Sequence, residues 1–220
     1  MTIKKILTNP EDLVKKIKVL IESSQFELAL KLLKENQKNH LDNFEFLNLT
    51  AQISLRKNNL KDGINFFKKS LNIHQNQPLV IYDLGIALSL NAQYDESLTF
   101  FDKLIALQPN NINPYIRKAI NFKKLDRLDD AINCYQKIID LEPKYIDAYI
   151  KKAELLILIG NSKAAQLLYQ HAIKIDSKNI ILYLKYGVLL NELGHIDQAL
   201  SMYKKSLEIE PNNPGALQNI

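Results

Sequence analysis

The chain has no tryptophan, one cysteine and six glycines among its 220 residues. A single cysteine, Cys134, cannot form a disulfide within the chain, so a reducing compartment is favoured and we expect a cytoplasmic protein. The longest aliphatic run, Leu155 to Ile159, is far below the roughly 20 residues of a membrane-spanning helix. The N-terminus lacks a signal-peptide pattern. The sequence therefore predicts neither a membrane span nor an exported, disulfide-bonded domain.

A block of charge of one sign is also missing. The 29 basic and 24 acidic residues are interspersed, and the net charge is +5. Proteins that bind phosphate backbones usually concentrate Lys and Arg on one segment or face. We therefore expect neither a nucleic acid nor a membrane as partner.

Motifs of catalysis and metal binding are absent as well. The sequence has no glycine-rich phosphate loop, no paired-cysteine spacing and no nucleophile elbow. Its four histidines lack a second His or Cys at helical spacing and are interpreted as exposed or half-exposed side chains: His40, His74, His171 and His195. Cys134 stands where the other units carry Leu, Phe or Met, so it is expected to pack as a small hydrophobic residue. We expect no enzyme activity, no metal and no cofactor.

What the sequence does contain is a period of 34 residues. Such a period predicts a stacked-repeat array in which each unit packs mainly on its neighbours. A lead-in of residues 1–9 precedes the array, and residues 214–220 are expected to start a further helix. The six units run without insertion or deletion over residues 10–43, 44–77, 78–111, 112–145, 146–179 and 180–213.

Each unit has the pattern of two amphipathic helices. Apolar residues recur at helical spacing in two blocks, separated by a break at positions 14 to 16 of the unit. The break contains residues that tolerate a left-handed backbone, as in Gly160-Asn161 and Gly194-His195. Small residues at positions 8 and 20 predict a close crossing of the two helices. A bulky residue at position 24 is expected to fill the space toward the next unit.

The best copies of the unit carry a recognisable signature. One copy reads Ile81, Leu84-Gly85, Leu88, Ser97, Phe101, Pro109, and another reads Tyr183, Tyr186-Gly187, Leu190, Ala199, Tyr203, Pro211. This pattern resembles the tetratricopeptide repeat family. The resemblance implies an all-α, right-handed α-solenoid of antiparallel helix hairpins, in which the first helices line a concave groove that binds another protein.

The positions that face this groove in the family are unusually apolar from the third unit on, with cations beside them. The predicted partner-binding residues are Leu79, Tyr82, Ile86, Leu90, Ile116, Arg117, Ile120, Ile150, Lys151, Leu184, Lys185 and Val188. Two interpretations remain open. The residues form an exposed apolar strip that holds a partner, or they belong to ordinary core between adjacent first helices.

The sequence thus favours a non-catalytic scaffold or adaptor. Its expected partner is a peptide or amphipathic helix, apolar with acidic flanks, bound in the concave groove. Self-association through the groove or the C-terminal end is an alternative. A second hypothesis is an N-terminal recognition arm of a longer enzyme, such as a glycosyltransferase or sulfotransferase. RNA binding by a related helical-repeat family fits poorly, because the groove is apolar instead of basic.

Overall fold

The computed structural model describes residues 10–36 and 42–220. The predicted lead-in 1–9 and His40 lie outside the described residues. Within these ranges the chain is helical and contains no strand, and no described helix is long and apolar enough to cross a membrane. The helices are α1 (Pro10–Glu22), α2 (Phe26–Asn36), α3 (Phe44–Arg56), α4 (Leu60–Ile73), α5 (Pro78–Leu90), α6 (Tyr94–Leu107), α7 (Ile112–Lys124), α8 (Leu128–Leu141), α9 (Ile146–Leu158), α10 (Ser162–Ile175), α11 (Ile180–Glu192), α12 (Ile196–Ile209) and α13 (Pro214–Leu217).

The odd-numbered helices α1 to α11 end in the same hydrogen-bonded turn. The residue at position 15 of each unit has a positive φ: Ser24, Asn58, Ala92, Asp126, Gly160 and Gly194. The N–H of the following residue donates to the carbonyl five residues earlier, as from Asn161 to Leu156 at 2.8 Å. This pairing is the Schellman motif, which satisfies carbonyls at a helix end. The predicted left-handed backbone at the break is confirmed. It also occurs at Ala92 and Asp126, whose residue types did not predict it.

The helix pairs cross as closely as the small-residue columns predict. A Cβ at Gly85 would lie 2.6 Å from the ring of Phe101, and one at Gly187 would lie 2.5 Å from the ring of Tyr203. Both distances are too short for any side chain larger than hydrogen. Ser97 is fully buried and donates its hydroxyl to the Gly85 carbonyl at 2.7 Å. The aromatic residue at position 24 therefore packs directly on the backbone of the first helix.

The chain forms two compact units, one up to Pro109 and one from Asn110 onward. We call them the first and the second unit, and the 34-residue units are called repeats from here on. Within each, a helix packs against its pair partner, and α4 also packs on α5, α8 on α9 and α10 on α11. The first unit has two apolar clusters. The core of the second unit includes Tyr149, Tyr169, Tyr186 and Tyr203.

Candidate functional site

In the first unit, the predicted binding residues lie along one face of α5. Their spacing of three and four residues places Leu79, Tyr82, Ile86 and Leu90 in a single line, which we call the α5 stripe. Leu79 is 81% exposed and Leu90 is 68% exposed. Tyr82 and Ile86 are half-buried, and the Tyr82 ring lies edge-on to Phe101 with centroids 6.1 Å apart. The α5 stripe is thus an accessible apolar surface anchored on the core.

In the second unit, the predicted residues differ in accessibility. Ile120 is 41% and Val188 40% exposed. The half-buried members are Ile116, Arg117 and Leu184, and the exposed cations are Lys151 and Lys185.

Ile150 corrects the sequence prediction. It is only 5% exposed and belongs to the apolar core together with Leu182 and Tyr186. The same position of other repeats is half-buried, at Tyr82, Ile116 and Leu184. This position therefore borders the core, and in α9 the side chain packs inward. Ile150 is not accessible to a partner, and the core interpretation holds at this residue.

A cavity of about 440 Å³ lies between α7, α8 and α9. We call it the α7–α9 cavity. Its walls combine aliphatic side chains with charged groups at the rim. The lining residues are Ile116, Ala119, Ile120, Lys123, Lys124, Tyr135, Tyr145, Asp147, Lys151, Glu154 and Leu155. Its size is within the range of sites that enclose a small ligand or an anchoring side chain. Three predicted residues, Ile116, Ile120 and Lys151, are brought together here.

Tyr135 lines this cavity from the second helix of its pair. It is 8% exposed, and its hydroxyl makes no hydrogen bond with any described residue. Burial, with a further contribution from the nearby Asp147 carboxylate, raises the pKa of Tyr135 to about 12. The phenol therefore stays protonated at neutral pH. The ring is therefore largely buried, while the hydroxyl lines the cavity and is available to a hydrogen-bond partner.

Glu154 joins the two exposed cations of the predicted site. Its carboxylate oxygens lie 3.1 Å from Lys151 Nζ and 2.9 Å from Lys185 Nζ. Burial raises the pKa of Glu154, but the hydrogen bonds from Lys185 and Lys151 outweigh it, so the pKa of Glu154 is lowered. Glu154 thus remains ionised and holds both lysines in place. The single carboxylate offsets one of the two positive charges.

The sequence prediction missed Tyr135, Glu154 and the lysine pair Lys123 and Lys124. One signal for Tyr135 was present in the sequence: position 24 is Leu or Phe in the first three repeats and Tyr in the last three. A hydroxyl at that column has to reach water or a polar partner. The ion pair of Glu154 with Lys185 left no such signal, because it joins α9 to α11.

His74, His171 and His195 are exposed, and Cys134 is buried as expected. Over residues 10–36 and 42–220, no three His, Cys, Asp or Glu side chains cluster in a way that could hold a metal ion.

The repeats of the second unit match a family model. The tetratricopeptide repeat model matches residues 112–145, 146–179 and 181–213. No curated protein sequence is similar enough to the chain to count as a relative.

Solved structures share the fold at low identity. MamA (41-end) from Desulfovibrio magneticus RS-1 is 20% identical, with 78% of this chain and 97% of that chain covered and a TM-score of 0.63. YrrB, described as "a TPR protein with an unusual peptide-binding site", is 20% identical, with 84% and 95% covered and a TM-score of 0.61. PilF of Pseudomonas aeruginosa is 14% identical, with 94% and 95% covered and a TM-score of 0.63. At these identities the likeness shows the fold alone.

The predicted fold class is confirmed by these likenesses together with the paired helices of the described residues. Residues 112–213 therefore belong to the tetratricopeptide repeat family, and the chain shares the all-α solenoid fold of these structures.

Proposed function

We propose that the protein is a non-catalytic interaction scaffold that binds a peptide or amphipathic helix through its first helices. The observation that carries the proposal is the α7–α9 cavity, which is lined by aliphatic side chains and by the largely buried Tyr135, whose hydroxyl makes no hydrogen bond with a described residue. A peptide-binding site in the structural neighbour YrrB agrees with this type of partner.

The cavity suits one aliphatic side chain of the partner. Ile116, Ile120 and Leu155 supply apolar contacts, and burial of a Leu or Ile side chain contributes about 1.5–3 kcal/mol. Because the Tyr135 phenol is protonated, it is a hydrogen-bond donor for a backbone carbonyl beside that side chain. The hydroxyl would then gain the partner that the protein alone does not provide.

The charge preference of the site comes from Lys123 and Lys124. Both are exposed in the last turn of α7 and line the cavity, and neither forms an ion pair with a described residue. Lys151 and Lys185 are held by Glu154. We therefore expect the acidic residues of the partner to lie toward the C-terminal end of α7, which refines the sequence prediction.

The α5 stripe is a second contact surface in this proposal. Leu79 and Leu90 are large, highly exposed apolar side chains, and a partner that buries them removes apolar surface from water. Exposed apolar residues in a row are typical of contact surfaces. An amphipathic helix with apolar residues at spacings of three and four is the partner segment that fits it.

A displayed library of random peptides tests the proposal. Peptides are selected on the wild-type chain and then measured against Ile120→Asp, a substitution at an exposed position that leaves the fold intact. We expect an aliphatic residue followed by Asp or Glu, and a loss of affinity of more than about tenfold in Ile120→Asp, since a charge buried without a partner is costly. The control variant is Lys137→Ala, on the exposed face of α8.

A charge reversal sharpens the test. The double variant Lys123→Glu and Lys124→Glu should select basic residues in place of acidic ones. Equal binding of the selected peptides to wild type and Ile120→Asp would contradict the proposal. If the wild-type chain self-associates and Ile120→Asp does not, as measured by sedimentation, the occupant of the site is a second copy.

A further inference from the structure

A larger cavity lies in the first unit, away from the α5 stripe. Its volume is about 740 Å³ and it lies between the second helices α4 and α6. We call it the α4–α6 cavity. The lining residues are Lys68, Leu71, Asn72, Gln75, Asn76, Ile81, Glu96, Phe100, Lys103, Ala106 and Leu107. Leu71 and Ile81 form a buried apolar floor, and the wall toward solvent is polar.

The second unit shows what fills the equivalent place. Tyr149 stands one turn into α9, where Ile81 stands in α5. Its ring stacks on His171 with centroids 5.6 Å apart, and its hydroxyl donates to the Pro143 carbonyl at 2.9 Å. Tyr183 in α11 makes the same bond to the Ser177 carbonyl at 3.0 Å. A phenol ring therefore bridges this gap twice in the second unit.

The position of Tyr149 and the two positions that its ring and hydroxyl contact all line the cavity of the first unit. In the 34-residue register, Ile81 replaces Tyr149, Gln75 replaces Pro143 and Lys103 replaces His171. The shorter isoleucine does not reach the residue 75 carbonyl. The α4–α6 cavity thus includes the place that the Tyr149 ring takes in the second unit.

The charge beside this space is positive. Lys103 is exposed and makes no ion pair with a described residue; its ammonium lies 4.9 Å from the centroid of the Phe100 ring. The other lining lysine, Lys68, is paired with Glu96 at 2.6 Å. A ligand carboxylate near the ring site would therefore meet Lys103. The exposed amides of Asn72, Gln75 and Asn76 can hydrogen-bond a peptide backbone or a phenol.

We propose that the α4–α6 cavity is a second docking site, which takes a tyrosine side chain of a partner polypeptide with an acidic residue beside it. The ring lies on Leu71 and Ile81 and faces Lys103, as the Tyr149 ring faces His171. The phenol hydroxyl donates to the carbonyl of residue 75, and the neighbouring carboxylate pairs with Lys103. The site is separate from the α5 stripe and does not depend on the proposed function.

The test uses three dipeptides and the isotopically labelled full chain. Backbone amide shifts are followed by NMR while acetyl-Tyr-Glu amide, acetyl-Leu-Glu amide or acetyl-Tyr-Lys amide is added. We expect saturable shifts on α4 and α6 with Tyr-Glu and weaker binding of Leu-Glu. The preference for Tyr-Glu over Tyr-Lys should be up to roughly fivefold, the range of an exposed ion pair.

Two variants and a control decide the outcome. Ile81→Tyr restores the ring found in α9 and α11 and should abolish binding, whereas Thr99→Tyr adds a phenol on the exposed side of α6 and should leave it unchanged. Lys103→Glu changes only an exposed side chain and should reverse the preference to Tyr-Lys. Binding by Ile81→Tyr as strong as by wild type, equal binding of the Tyr and Leu peptides, or an unchanged charge preference in Lys103→Glu would overturn the proposal.

Discussion

The second unit carries tyrosine at two repeat positions where the first unit carries leucine, isoleucine or phenylalanine. Position 24 lies in the second helix of each repeat, and we call it the inner column. There the first unit has Leu33, Phe67 and Phe101, and the second has Tyr135, Tyr169 and Tyr203. Position 4 lies in the first helix of each repeat, and we call it the outer column. There the first unit has Leu13, Leu47 and Ile81, and the second has Tyr115, Tyr149 and Tyr183. The first helices have the same length in both units and end in the same left-handed turn. The side chains change while the backbone plan is kept.

The difference shows how one repeat plan yields different surfaces. A phenol at the outer column fills space and bonds to a carbonyl, as Tyr149 does; an isoleucine there leaves the α4–α6 cavity open. A phenol at the inner column brings a hydroxyl to the α7–α9 cavity, as Tyr135 does. A phenylalanine such as Phe101 keeps that floor apolar. Hydroxyl placement, and not helix placement, distinguishes the units.

The largest expected effect separates core from surface among the apolar first-helix residues. Ile150→Asp places a carboxylate in the core of the second unit and should lower the free energy of unfolding by more than about 3 kcal/mol. Leu79→Asp, at an 81% exposed position of the first unit, should change it by less than about 0.5 kcal/mol. Urea denaturation measures both, and hydrogen exchange should assign the loss in Ile150→Asp to the second unit. Similar losses in both variants would contradict the assignment.

The next prediction concerns tyrosine hydroxyls within the second unit. Tyr203 is 2% exposed and its buried hydroxyl has no hydrogen-bond partner among the residues that the structure describes, so Tyr203→Phe should raise the free energy of unfolding by about 1 kcal/mol. Tyr149→Phe removes the bond to the Pro143 carbonyl and should lower it by about 1 kcal/mol. Thermal and urea unfolding of the two variants give the comparison. Shifts of the same sign would mean that the hydroxyl of Tyr203 is satisfied.

A smaller effect is expected at the turns that both units share. Ala92 in the first unit has a φ of 58° and Gly160 in the second a φ of 79° at the same position. The left-handed backbone strains a residue with a Cβ by roughly 1–2 kcal/mol, part of which glycine loses again in chain entropy. Ala92→Gly should therefore stabilise by about 0.5–1 kcal/mol and Gly160→Ala should destabilise by a similar amount. The midpoints of urea unfolding report both changes, and a loss of stability in Ala92→Gly would contradict the strain.

Much of the fold follows from local sequence. Helical spacing, the small residues at Gly85, Ser97 and Gly187, and the left-handed break at Gly160 each depend on contacts within one helix pair, and each was confirmed. Ala92 and Asp126 adopt the same turn without its usual residues, because the hydrogen bonds of the pair impose it.

The site was less predictable, because it depends on several helices at once. Ile150 is inaccessible because it belongs to an apolar cluster that includes Leu182 and Tyr186, residues of a different helix. The bond of Glu154 to Lys185 likewise joins α9 to α11. The α4–α6 cavity is lined by Gln75, Ile81 and Lys103 together. The 34-residue period compares each of them only with the same position of other repeats, so it does not show that the three meet.

The smallest expected effect contrasts a carboxylate from each unit by its response to pH. Burial raises the pKa of Asp83 in α5, so its ionised form destabilises the first unit above that pKa, and the penalty disappears as the pH falls through it. The pKa of Glu154 is lowered by its lysines, so its contribution is present above the unfolded-state pKa and is lost as the pH falls through the folded-state value. Asp83→Asn should therefore stabilise at pH near 7 and Glu154→Gln should destabilise, each by less than about 1 kcal/mol because both sites are partly solvated. Urea denaturation at pH near 7 and at pH near 3 measures the contrast. Both differences should shrink at the acidic pH, and a shift of the same sign for the two variants near pH 7 would show that the two carboxylates do not differ in this way.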